Sequence, residues 1–252
     1  MMTTTTQPAR SPSASRAGRR RHPAVYAVAA GAVVVLGVSA LAAVGRAITQ
    51  EDQTTFAADG VRELVIDQDS GNVSLVAGTA AGHLQVTSSR RWSWQAPTSE
   101  HTVKDGVLTL TGNCPVFSAL GSCDVDRRVS VPPGIKVRID LSAGNVQAAG
   151  LNLASFGVST ASGSIDATDM DVSTFSATTS SGSVHAGLSG APHQIEAQTS
   201  SGDIRITVPD TLYRVDAGAS AGQVRITVDE DPSSARFITA HSSSGDVTIS
   251  HG

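Results

Sequence analysis

A glycine that returns every 19 to 23 residues, each time in the same company, constrains this chain more than any other feature. It stands in SAGNVQA around Gly144, ASGSIDA around Gly163, SSGSVHA around Gly182, SSGDIRI around Gly202, SAGQVRI around Gly222 and SSGDVTI around Gly245. A period of this size belongs to supersecondary units that cannot bury a face alone and must stack on one another. An earlier copy, DSGNVSL around Gly71, lies 73 residues upstream of Gly144, out of phase with the series.

Each unit has its own register. Two residues after the glycine come Val146, Ile165, Val184, Ile204, Val224 and Val247, and four after it Ala148, Ala167, Ala186, Ile206, Ile226 and Ile249. Alternation of this kind is a strand with one buried face. Seven residues before the glycine stand Phe156, Phe175, Ile195, Val215 and Ile238, and five before it Val158, Ala177, Ala197, Ala217 and Ala240. That is a second strand facing the same interior. The small residues between the two, with glycine among them, suit a corner that needs φ > 0 and local hydrogen bonds.

Strand, corner, strand fits two arrangements: a hairpin pairing within the unit, or one coil of a solenoid pairing with the next unit. Two-residue hairpin turns favour Asn-Gly or Asp-Gly. Here glycine follows two small residues, and aromatic recurs over aromatic and alanine over alanine, which favours the solenoid, with hairpins as the alternative. The expected fold is all-β: a solenoid of about six coils over residues 136–252, with the corners at Gly144, Gly163, Gly182, Gly202, Gly222 and Gly245.

Residues 57–135 lack the period but contain strand-like runs at Val61–Val76, His83–Trp94, Thr102–Thr111 and Asp124–Val131, divided by Gly and Pro signals. They are expected to form a β cap, because an open first coil exposes a row of unpaired backbone groups. Trp92 and Trp94 read as core of that cap. Cys114 and Cys123, an even pair at close spacing, read as a disulfide that would stabilise the fold by roughly 2–3 kcal/mol.

The N-terminal region carries a different signal. Residues 1–23 are rich in Thr, Ser, Arg and Pro and read as a disordered cytoplasmic tail. Residues 24–45 contain no charge and are long enough, as a helix, to cross a bilayer. The arginines before them place the N-terminus in the cytoplasm and the remainder outside, with 46–56 as a tether. A cleaved signal ending near Ala40-Leu41-Ala42 is the rival reading and exports the same domain. Taking the five arginines before residue 24 from the 18 basic residues leaves 13 against 22 acidic ones, a balance that speaks against nucleic acid.

The segment VRELVIDQDSGNVSLV, the cysteine loop running into Arg128-Val129-Ser130-Val131-Pro132-Pro133-Gly134, and the SSGDIRI-type units together resemble the bacterial putative-adhesin domain of unknown function, over about residues 57–251. The resemblance implies an exported or membrane-anchored β-solenoid. It carries over no functional residues, since that family has no agreed activity.

Catalytic motifs are thin. Gly187-Leu188-Ser189-Gly190 misses the nucleophile elbow. Asp166, Asp169 and Asp171 crowd one coil end and read as solvated turn residues; Asp203 and Asp246 read as corner residues, since the calcium-solenoid nonapeptide is absent. His185, His193 and His241 lie at different offsets from glycine and make no ligand set. The expectation is therefore no enzyme, no cofactor and no metal. It is a single-pass surface protein of interaction or scaffolding type, anchored through residues 24–45, with a protein or a cell-wall glycan as partner. The alternative is an exported sensor or regulator of envelope state acting through a membrane partner.

Overall fold

The computed structural model describes residues 49–78, 83–115 and 121–252. The uncharged segment 24–45 and the tail before it lie outside the described residues, and among those described no helix is long and apolar enough to cross a membrane. What is described is all-β: eighteen strands arranged as two faces of a stacked coil.

Each repeat is one coil. Strand β10 (Asn152–Ser162) leads through Gly163 into the first part of β11 (Ile165–Ser181). The second part of β11 leads through Gly182 into β12 (Val184–Leu188). Partners come from neighbouring coils, parallel and in register: Phe156 pairs with Phe175, and Phe175 with Ile195 of β13 (Gln194–Ser201). On the opposite sheet Ala167 pairs with Ala186. The hairpin alternative is excluded by these pairings. Inward positions of these coils are buried, and the rings of Phe156 and Phe175 stack with centroids 5.6 Å apart.

The corner explains the motif. Gly182 has φ 146°, and a Cβ placed there would fall well under 3.0 Å from the Gly163 carbonyl oxygen. Glycine is thus required twice over, by dihedral and by contact. The next residue serves the neighbouring coil: the Asp246 amide donates to Asp203 Oδ1 at 2.9 Å, Asp203 to Ser183 Oγ at 3.2 Å, and Ser164 to Asn145 Oδ1 at 2.8 Å. Only a short side chain with an acceptor oxygen serves there, hence Asp, Asn and Ser. Three residues before glycine, Thr179 and Thr199 donate to the Gly163 and Gly182 carbonyls, both at 3.0 Å.

The order of coils departs from the chain at both ends. The Gly71 unit, β2 (Glu63–Ser70) and β3 (Val73–Ala77), expected within the cap, is a coil of the stack. It pairs with the Gly144 unit, β8 (Lys136–Ala143) and β9 (Val146–Ala149). Its other neighbours are β6 (Val107–Asn113) and β7 (Cys123–Val131), which form a coil with no corner glycine. At the far end the last unit of the chain, β17 (Phe237–Ser244) and β18 (Val247–His251), sits between two earlier ones. It pairs with β13 and β14 (Ile204–Val208) on one side, and with β15 (Arg214–Ala221) and β16 (Val224–Ile226) on the other. Among the described residues the spatial series of corner glycines is therefore Gly71, Gly144, Gly163, Gly182, Gly202, Gly245, Gly222, with Gly71 added to the expected set.

Beyond the β6–β7 coil the stack ends in antiparallel strands, fewer than the expected cap and beginning earlier in the chain. Strand β1 (Gln50–Asp59) takes up most of the expected tether and pairs antiparallel with β4 (His83–Trp92), which pairs antiparallel with β7. On the other sheet β5 (Thr98–Lys104) and β6 form a hairpin through Asp105 and Gly106, both at positive φ as a primed turn demands. Cys114 and Cys123 form the expected disulfide, with Cα atoms 6.0 Å apart. Trp94 is 46% exposed and is not core; Trp92, at the end of β4, lies half-buried under the Arg90 guanidinium. Among the described residues no strand covers the opposite end: Val224 is 41% exposed, whereas its equivalents Val184 and Val247 are buried.

Candidate functional site

Stacking turns single side chains into rows. On the outer face of the sheet holding β10 and β13, one row runs Asp140, Ser159, Thr178, Gln198, His241, Gly218, and a parallel one Arg138, Gly157, Ser176, Glu196, Thr239, Asp216. Ser159, Thr178 and Gln198 stand side by side in the first row, with Asp140 on one side and His241 and Gly218 on the other. Two shallow grooves of about 420 and 390 Å³ lie on this face, the first along Thr178, Gln198 and His241, the second along Arg138, Gly157 and Ser176.

The candidate residues from sequence take ordinary places. Asp169 forms the bend of β11 at φ 52°, and Asp171 accepts a hydrogen bond from Asn152 Nδ2 at 2.7 Å. Asp166 faces His185 across one strand spacing, at 3.6 Å. His241 stands 3.6 Å from Asp216, and the His193 amide donates to the Ser173 carbonyl. The three histidines are not brought together. Asp203 and Asp246 do the corner work described above.

Two groupings escaped the sequence reading. The ends of three stacked strands bring Asp210, Asp229 and His251 together, with one ligand atom of each within 4.8 Å of the others; both carboxylates are exposed. The second is a buried polar network at the capped end. Arg127 is 2% exposed and holds the inward position that Val73 and Val146 occupy in the next coils. Its Nε donates to Gln68 Oε1 at 2.8 Å and its Nη2 to the Thr111 carbonyl at 2.6 Å, while Gln68 Nε2 donates to the carbonyls of Gly71 and Val125. Burial lowers the guanidinium pKa to about 10, which leaves it charged at neutral pH. The alternation Cys123, Val125, Arg127, Val129, Val131 was the signal available: a cation in an apolar row.

With this geometry in view, the comparison with known families is decisive. The Toastrack DUF4097 family matches residues 53–250. The chain belongs to this family. The Toastrack assignment agrees with the putative-adhesin resemblance read from the corner motifs. A putative cell adhesion protein from Clostridium sporogenes shares the fold at 14% identity and TM-score 0.51, covering 81% of this chain and 100% of its own. A putative adhesin from Bacteroides fragilis is 14% identical at TM-score 0.42, covering 81% of this Toastrack chain and 97% of its own. No curated protein matches the chain.

Proposed function

We propose that this Toastrack chain is a membrane-anchored, cell-surface protein of interaction and scaffolding type, without catalytic activity, held by residues 24–45 with its C-terminal domain outside. The observation that carries the reading is the outer sheet face. Its in-register rows, with Ser159, Thr178 and Gln198 side by side, give a flat polar platform that repeats at the strand spacing, about 4.8 Å. Such a platform suits an extended partner with periodic hydrogen-bonding groups, a protein segment or a cell-wall glycan, better than a substrate held in a cleft. The adhesin descriptions of the Clostridium and Bacteroides proteins agree with an adhesin-like surface role.

The experiment has two parts. Protease added to intact cells should remove the C-terminal domain and leave the anchor; a domain protected until the cells are lysed would contradict the surface assignment. Purified full-length protein in detergent should sediment with isolated cell walls freed of membrane, and changing Ser159, Thr178 and Gln198 together to Glu should abolish this while thermal unfolding is kept. Undiminished sedimentation of the folded triple variant would remove this face from the account.

A further inference from the structure

At the capped end the interior changes chemistry. In one sheet the inward row through Ile165, Val146 and Val73 continues across β7, β4 and β1 as Arg127, Ser88 and Thr54. In the facing sheet the row through Thr179, Thr160 and Leu141 continues as Gln68, Gly112 and Ser99. Side chains that would fill the space are replaced by hydroxyls and a glycine, and a cavity of about 240 Å³ is left, open at the edge between β1 and β5: Ser88 and Arg127 line its buried floor, and half-buried Ser99 and exposed Thr54 its mouth, with Phe56 and His101 beside it. Those two rings, one from each edge strand, stack at 4.0 Å.

Arg127 brings a full positive charge into this space. Both of its bonded acceptors are neutral, and no carboxylate of the described residues forms an ion pair with it. An isolated interior charge is costly unless a counter-charge comes to it. Glu100 lines the cavity but is exposed and unpaired with Arg127. We propose that this cavity binds a small hydroxylated carboxylate of the sugar-acid class. The carboxylate meets the Arg127 guanidinium, and the hydroxyls of Thr54, Ser88 and Ser99 take the ligand's hydroxyls. One negative charge balances one guanidinium; a phosphate, at roughly −1.5 to −2, overshoots it beside Glu100. The volume is below the roughly 300–1,000 Å³ of sites for drug-sized ligands, so a single ring fits and an oligosaccharide does not.

The test is calorimetric titration of the full-length chain in detergent with sodium glucuronate, with glucose and inorganic phosphate as parallel arms. Glucuronate should saturate one site per chain, with glucose and phosphate each at least about tenfold weaker. Arg127→Met should weaken glucuronate binding about ten- to a hundredfold, the loss of one charge-assisted hydrogen bond. Ser99→Leu, which fills the cavity from a half-buried edge position, should do the same, and both variants should still unfold cooperatively. The proposal is overturned by glucose binding as tightly as glucuronate, by phosphate alone binding, by either folded variant keeping its affinity, or by no heat from any of the three.

Discussion

Phe156 and Phe175 occupy the same position of consecutive coils and stack at 5.6 Å, 19 residues apart in sequence and one strand apart in space. Phe175 also pairs with Ile195 on its other side and is fully buried. Phe175→Ala therefore leaves a void that rigid sheets on both sides cannot close. A loss of about 3–5 kcal/mol in urea-induced unfolding is expected. A loss below about 1 kcal/mol would mean that the two layers do not share this core.

The corner at Gly182 admits no side chain. Gly182→Ala should destabilise by more than about 2 kcal/mol, since it adds dihedral strain to a clash with the Gly163 backbone. Ser183→Ala, one position on, removes only the acceptor for the exposed Asp203 amide and should cost about 0.5–1 kcal/mol. Equal costs for the two substitutions, measured by thermal unfolding, would refute the corner geometry.

Arg127 gives a dependence on pH. Its folded pKa, about 10, lies below the ordinary guanidinium range because burial disfavours the cation. Below pH 10 the guanidinium is charged in both states and the folded protein bears the whole penalty. As pH rises through 10 the folded state releases a proton that the unfolded chain keeps, so stability rises there. The wild type should gain on Arg127→Met between about pH 9 and 11, by urea unfolding at each pH. A difference that stays flat across that window contradicts the burial of an uncompensated charge.

Cys114 and Cys123 should resist thiol labelling in denatured, unreduced protein. Reduction should lower stability by roughly 2–3 kcal/mol, as expected for so short a loop. Rapid labelling of both without reductant would show that the pair is open.

The repeating part of the fold was legible because corner and strand are written in residue types with local causes. Glycine is demanded by a carbonyl one coil away, Ser or Asp by an amide, and alternation by the two faces. The order of coils was not legible. Ala197, Ala217 and Ala240 are the same residue at the same position, so nothing in the inward ladder says which two are neighbours. The only trace was the 23-residue interval between Gly222 and Gly245, which leaves chain enough to step past a coil. The Gly71 unit was misplaced for a related reason: sequence distance to Gly144 was read as spatial distance. Trp94 failed because an aromatic in strand parity was assumed to be inward, while β4 ends at Trp92, before it. Arg127 was visible in the alternation, but a buried cation is recognisable only once the strand on either side is known.

The interleaved order is the central claim, and cysteine pairs test it directly. Ala197 neighbours Ala240, and Ala240 neighbours Ala217, so Ala197 and Ala217 stand two strands apart. Adjacent strands place Cα atoms about 4.8 Å apart, within disulfide reach, and two strand spacings exceed the limit of about 7 Å. Oxidation of full-length protein carrying Ala197→Cys and Ala240→Cys, followed by peptide mass mapping, should give a cross-link in high yield. The pair Ala197→Cys and Ala217→Cys should give none. The reverse result, a cross-link from 197 to 217 and none from 197 to 240, would put the coils in chain order and contradict the structure.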